Sequence, residues 1–193
     1  MKKLNVFAAA LLCVMAPAAI AADQVSMEYD ATTFEVPPAP LPGACRIAIG
    51  TVTDARQNME SVGTEFKPLL SGDAVPWVKA GLNNLSAFGF TVQNGAAPAG
   101  AVVVNASLFR SYTWHGQMRI NGAVAMKVDF VTLSGQQINR KYRVSVSKNN
   151  WAGATAEYMT TLNMGLSSVV GKLALDLQDM CSNKVAVSDT SNK

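Results

Sequence analysis

Histidine is almost missing from this sequence: His115 is the only one in 193 residues, and cysteine occurs only at positions 13, 45 and 181. A tetrahedral metal site needs several His, Cys, Asp or Glu ligands at short spacing, and no cluster of that kind can be read along the chain. No C-x-x-C pair is present for thiol exchange. No G-x-S-x-G turn presents a nucleophile, and Ser111 is simply a neighbour of His115 in sequence. Gly50 and Gly63 stand too far apart to form a phosphate-cradling loop. Charged residues make up only 15% of the chain and the formal net charge is +3. With no finger, helix-turn-helix or RNP pattern, nucleic acid is set aside as a partner. The expectation is a protein that is not an enzyme and has no catalytic residues, cofactor or metal. A hydrolase built on His115 would need an acid and a nucleophile within hydrogen-bond reach. The simpler reading is a loop histidine beside Tyr112 and Trp114.

What is present begins with the N-terminus. Met1-Lys2-Lys3 is a short basic region, Val6 to Met15 is an apolar run, and Ala19-Ile20-Ala21 fits the small-residue rule for cleavage. Residues 1–21 are therefore read as a signal peptide, whose removal takes Lys2 and Lys3 and leaves a nearly neutral mature chain. The competing reading is an uncleaved anchor, but about 20 continuous apolar residues are needed to span a bilayer. No later run reaches that length, so no transmembrane segment is expected and the destination is the periplasm. Cys45 and Cys181 are the thiols left after cleavage, and an oxidising compartment favours a bond between them. Such a bond would close a loop of more than a hundred residues, worth on the order of 4 to 5 kcal/mol at most. The alternative is two separate buried thiols.

Periodicity then divides the chain into segments. Residues 22–43 carry Pro37, Pro38, Pro40 and Pro42 and read as an extended leader, in which Val25, Met27 and Tyr29 could form an edge strand. Residues 44–181 read as a single domain and 182–193 as a flexible tail. Cys45 to Thr53 suggests a first strand, and residues 54–72 a long loop. Within that loop Asp54 and Arg56 fit an exposed ion pair at a strand end, worth roughly 0 to 1 kcal/mol. Val75, Val78, Leu82 and Leu85 repeat at helical spacing, with Asp73 to cap the start and Gly89 to end the helix. From Ala101 the period becomes two: Val102, Val104, Ala106 and Leu108 mark one strand. Met118, Ile120, Val124, Met126, Val128 and Phe130 mark the next. After the Ser134-Gly135 turn, Ile138, Tyr142, Val144 and Val146 mark a third. Leu162, Leu166, Val169, Leu173, Leu177 and Met180 define a long amphipathic helix. Gly165 and Gly171 within it suggest close approach to a sheet. The expectation is an α+β fold of β-α-β-β-β-β-α order, an antiparallel-rich twisted sheet with both helices packed on one face.

The segment from Ala74 to Asp179 resembles the YajG family of envelope lipoproteins. The residues that carry the resemblance are Gly89-Phe90 after a helix, the strand AVVVNASLF, Gly135 in a turn, Lys141-Tyr142-Arg143, and Asp176 or Asp179 near the end of the closing helix. More distantly the pattern is similar to the auxiliary lipoproteins of envelope transporters. The resemblance implies an α+β fold and a cell-envelope location, and it carries over no catalytic residue. One departure counts against the lipid anchor that the family implies. Cys13 lies inside the apolar run behind Leu11-Leu12, and no cysteine stands near Ala21 to be lipidated.

Charge patterning adds one possible site. Arg110, Arg119, Lys127, Arg140, Lys141, Arg143 and Lys148 fall in a stretch whose single acid is Asp129. The odd numbers of Arg119, Lys127, Lys141 and Arg143 put them opposite the apolar even positions, as one anion-attracting sheet face. The simpler reading is a solvated face that keeps strand edges apart. The expected function is a non-catalytic interaction or accessory module of the envelope, meeting an envelope protein or an anionic envelope component. The alternative is a carrier of a lipid or other apolar ligand, with a cavity lined by Met126, Phe130, Leu166 and Leu173. Oligomeric state and the identity of the partner are not legible.

Overall fold

The computed structural model describes residues 23–35, 37–64 and 69–182, so the expected signal peptide over 1–21 and the tail beyond Ser182 lie outside the described residues. In chain order the elements are β1 (Asp23–Val25), β2 (Arg46–Asp54), β3 (Leu69–Ser71), α1 (Val75–Asn83), β4 (Thr91–Asn94), β5 (Val102–His115), β6 (Arg119–Val131), β7 (Gln137–Asn149) and α2 (Thr155–Cys181). Five strands form the main sheet in the order β4-β2-β5-β6-β7. The three long strands β5, β6 and β7 pair antiparallel, and β2 runs parallel to both β4 and β5. Apart from the small β1–β3 pair, this is the α+β fold and element order that the periodicity implied.

The period-two pattern buries one face of this sheet. Ile47, Ile49, Val104, Leu108, Ile120, Val124, Met126, Val128 and Phe130 are all buried, as are Val78 and Leu82 of α1 and Leu162, Leu166, Val169, Leu173 and Leu177 of α2. Each such side chain is worth roughly 1.5 to 3 kcal/mol when fully buried. At its start, α1 uses an Asp73 carboxylate oxygen that accepts from the Val75 N–H at 2.9 Å. The following turn ends at Gly89 with φ +91°, a left-handed conformation that L side chains rarely adopt.

Small residues allow the layers to approach closely. A Cβ added at Gly81 of α1 would lie 2.7 Å from Leu166 Cδ2, and one at Gly165 would lie 2.8 Å from Val124 Cγ2. Gly171 differs from the expectation, because nothing lies within 4 Å of its would-be Cβ. The two positions therefore have opposite expected responses. Gly171→Ala should stabilise by about 0.5 to 1 kcal/mol through helix propensity alone. Gly165→Ala should destabilise by about 1 to 2 kcal/mol, because overpacking against a β-branched neighbour outweighs that gain. Urea unfolding of the two variants checks the pair, and equal shifts would refute it.

Residues 23–35 and 37–45 form a strap beside α2. Its contacts advance in step with the helix. Asp23 accepts from the Thr155 hydroxyl at 2.9 Å, the Glu28 carbonyl accepts from Asn163 Nδ2 at 3.0 Å, and the Pro42 carbonyl accepts from Gln178 Nε2 at 3.0 Å. The strap ends at the Cys45–Cys181 disulfide, with Cα atoms 5.6 Å apart. Val25 and Met27 are buried under it, and Phe34 meets Phe88 edge to face. Asn163 joins three elements, because its Oδ1 also accepts from the Trp77 indole N–H at 2.7 Å. The extended edge is shorter than the sequence suggested. Only Asp23–Val25 pairs, and it pairs with β3 instead of the main sheet. The segment expected as one long loop over 54–72 contains that β3 strand, and Ser61 forms a bridge to Leu70.

Candidate functional site

The site begins with an irregularity in β5. Register against β6 is regular from Val103 to Leu108, then shifts by one residue before Arg110. A bulge of this kind leaves one residue unpaired and reverses which parity faces the core. Ser111 and Thr113 accordingly become buried, while Phe109, Arg110 and Tyr112 become exposed. Residues 60–64 cover the adjoining edge: the Val62 carbonyl accepts from the Thr113 N–H and from its hydroxyl, both at 2.7 Å. The Ser111 hydroxyl is buried without a hydrogen-bond partner.

Directly opposed residues share a face, so the register lists the outer surface of the sheet row by row. Ser107, Lys127 and Lys141 make one row, Arg110, Ala125 and Arg143 the next, and Tyr112, Ala123 and Ser145 a third. Lys127, Lys141 and Arg143 of the expected cationic face are therefore neighbours. Arg119 is not among them, because it opposes Asn149 at the far end of the hairpin. Arg110 takes its place in the cluster, although its even number assigned it to the core side. The bulge is the reason. Lys127 is held by Asp129 at 3.1 Å. That lysine and the Asn139 amide keep the Asp129 carboxyl below its ordinary range. Arg110, Lys141 and Arg143 are exposed and make no ion pair or side-chain hydrogen bond among the described residues.

The Lys141-Tyr142-Arg143 triplet divides across the sheet. Lys141 and Arg143 face outward, while Tyr142 is buried and donates its hydroxyl to the Asp176 carboxylate of α2. Burial and that carboxylate hold the phenol far above its ordinary range.

A groove of about 770 Å³ crosses the outer face at the bulge. Ala123 and Ala125 lie at its floor, Arg110, Tyr112 and Arg143 along it, and residues 55–58 with Ser61 and Gly63 at its side. That side is anchored by Arg56, whose guanidinium bonds both Asp54 oxygens, the Ser71 hydroxyl and the Met59 carbonyl. The expected exposed ion pair is thus a buried one, with side chains 2% and 9% exposed, because the return of the chain through β3 encloses it. Burial works against the Asp54 carboxylate, and the hydrogen bonds and charge of Arg56 outweigh it to leave its pKa lowered.

The other expectations fall elsewhere. His115 is exposed and its Nε2 lies 2.7 Å from the Asn150 amide nitrogen, with no acid or nucleophile among the described residues bonded to it. Among the described residues no group of three or more His, Cys, Asp or Glu could hold a metal, and no helix is long and apolar enough to cross a membrane. Met118, expected in the core, is 76% exposed because it precedes β6 in the hairpin turn.

No family model and no curated protein matches this chain. Its fold is similar to that of a Xanthomonas campestris protein of the DUF330 family: TM-score 0.56 at 10% identity, covering 83% of this chain and 98% of that one. Similarity extends to a minor lipoprotein from Acinetobacter baumannii, with TM-score 0.40, 9% identity, and 69% and 94% of the two chains covered. The PelC dodecamer from Paraburkholderia phytofirmans matches with TM-score 0.36 and 14% identity, over 67% and 92% of the two chains. The first of these likenesses establishes a shared α+β fold.

Proposed function

We propose that the mature chain is an exported periplasmic protein of YajG-like kinship. It acts as a non-catalytic interaction or accessory module, and its outer sheet face meets anionic components of the envelope. The observation that carries this reading is the division of the sheet. One face is spent on the helices, while the other displays Arg110, Lys141 and Arg143 as exposed cations without partners among the described residues. The basic, apolar and small-residue order of positions 1–21 supports export, and the disulfide suits an oxidising compartment. The alternative, a carrier of an apolar ligand between helices and sheet, finds little room. Met126, Phe130, Leu166 and Leu173 are at most 1% exposed, and the glycine contacts leave no space for a methyl group beside Leu166 or Val124.

The test is sedimentation with phosphatidylglycerol vesicles. Each cation near an anionic surface contributes about 1 kcal/mol, so Lys141→Gln with Arg143→Gln should weaken association by roughly tenfold or more. Raising salt should weaken it further, since screening acts over about 8 Å at physiological ionic strength. The melting temperature should stay nearly constant, because both side chains are exposed. Salt-independent association, or a loss of stability in the double variant, would refute this reading.

A further inference from the structure

We propose that the groove across β5, β6 and β7 is a binding site for a phosphate monoester carried on a ring, gripped by Arg110 and Arg143. The proposal rests on the reading of the outer face as an interaction surface and narrows it to one site and one ligand chemistry. Three observations support it.

The first is the row itself. Arg110 and Arg143 both oppose Ala125, one on each side. Two strand spacings separate their backbones by about 10 Å, close enough for both side chains to reach one group above the alanine. Neither guanidinium is occupied by an acid among the described residues. A carboxylate has two oxygens and one arginine fork satisfies it. A phosphate monoester has three free oxygens and a double charge, so it can take two forks.

The second is the shape. About 770 Å³ lies within the range of small-molecule sites. The floor is Ala123 and Ala125, so among the described residues only methyl groups rise from it. Tyr112 stands between Arg110 and Trp114 on the same face. Its ring stacks on Trp114 at 6.0 Å and 19°, and it remains 39% exposed. A ring already held by a neighbour offers a flat apolar wall at little entropic cost.

The third is rigidity. The side of the groove formed by residues 55–58 is fixed by the Arg56 guanidinium, which bonds Asp54, Ser71 and Met59, and Asn58 Oδ1 accepts from the backbone N–H groups of Glu60 and Ser61, each at 3.1 Å. A preformed site loses less freedom on binding than one assembled by its ligand.

The experiment is calorimetric titration of the mature protein with glucose 1-phosphate and with inorganic phosphate. Saturable binding is expected, about tenfold tighter for glucose 1-phosphate because the ring adds the Tyr112 contact. Two variants separate a site from diffuse charge. Ala125→Leu fills the floor and leaves every charge in place, and Arg110→Lys keeps the charge but removes the fork. Each should weaken glucose 1-phosphate binding by about tenfold or more, and Ala125→Leu should leave association with phosphatidylglycerol vesicles unchanged. If either variant melts early, the other carries the comparison.

Vesicles containing phosphatidylinositol 4-phosphate, whose headgroup is a ring bearing a phosphate monoester, distinguish the source of the phosphate. Competition with glucose 1-phosphate assigns the site to a lipid headgroup, and its absence assigns it to a soluble ligand. Undiminished binding in both variants, or no preference over inorganic phosphate, would overturn the proposal. Loss of vesicle association with glucose 1-phosphate binding retained would instead remove the broader membrane-facing reading and leave the groove standing.

Discussion

Reduction of the Cys45–Cys181 disulfide is expected to lower the melting temperature of the mature protein by about 10 °C. The bond joins residues 136 apart in sequence, tying the end of the strap to the last turn of α2. Closing a loop of that length removes unfolded-chain entropy worth on the order of 4 to 5 kcal/mol as an upper figure. A domain of this size shifts by about 2 to 4 °C per kcal/mol, and residual structure in the unfolded chain trims the total. Cys45→Ser should produce the same shift, and reductant should then add nothing. Thermal melts of wild type and variant, each with and without reductant, make the comparison. Two alkylatable thiols in unreduced native protein, or additive effects of the substitution and the reductant, would refute the bond's stabilising role.

Arg56→Met is expected to cost about 3 to 5 kcal/mol, although it changes one residue in a segment whose sequence reads as a loop. The substitution leaves the Asp54 carboxylate enclosed without its partner, and it frees the Ser71 hydroxyl and the Met59 carbonyl. Replacing both members, Asp54→Leu with Arg56→Met, should recover much of the loss, because the cost lies in an unpaired buried charge rather than in the absence of a pair. The pH dependence has a definite sign. The Asp54 pKa is lowered in the folded protein, so its contribution is fully present above the ordinary carboxylate value of about 4 and is lost as pH falls through the lower folded value. Urea unfolding at neutral pH and under acid conditions measures both effects. A loss below about 1 kcal/mol in the single variant would show that the pair behaves as an exposed surface bridge.

These two cases mark how far local pattern reaches. The parity of Val124, Met126, Val128 and Phe130 is set by the strand repeat, and the spacing of Leu162, Leu166, Val169 and Leu173 is set by the helix repeat. A chain with both must bury the two stripes against each other, which is why the α+β layering was legible. The burial of the Arg56–Asp54 pair was not, because it depends on β3 returning over the pair, and no neighbouring residue announces that return.

The packing of the strap escapes local pattern for a related reason. Proline content foretells an extended backbone, but the packing of that backbone on α2 depends on Ser167, Asn163 and Gln178, which lie far along the chain. The candidate site divides along the same line. Alternation by itself placed Lys127, Lys141 and Arg143 on one face, since strands β6 and β7 keep a regular register. Tertiary structure decided the rest. A one-residue bulge between Leu108 and Arg110 reverses the pleat, adds Arg110 to the cluster and brings Tyr112 beside it, while Arg119 lies too far along β6 to join. Sequence fixes which side chains alternate, but the register of a distant partner strand fixes where the alternation slips.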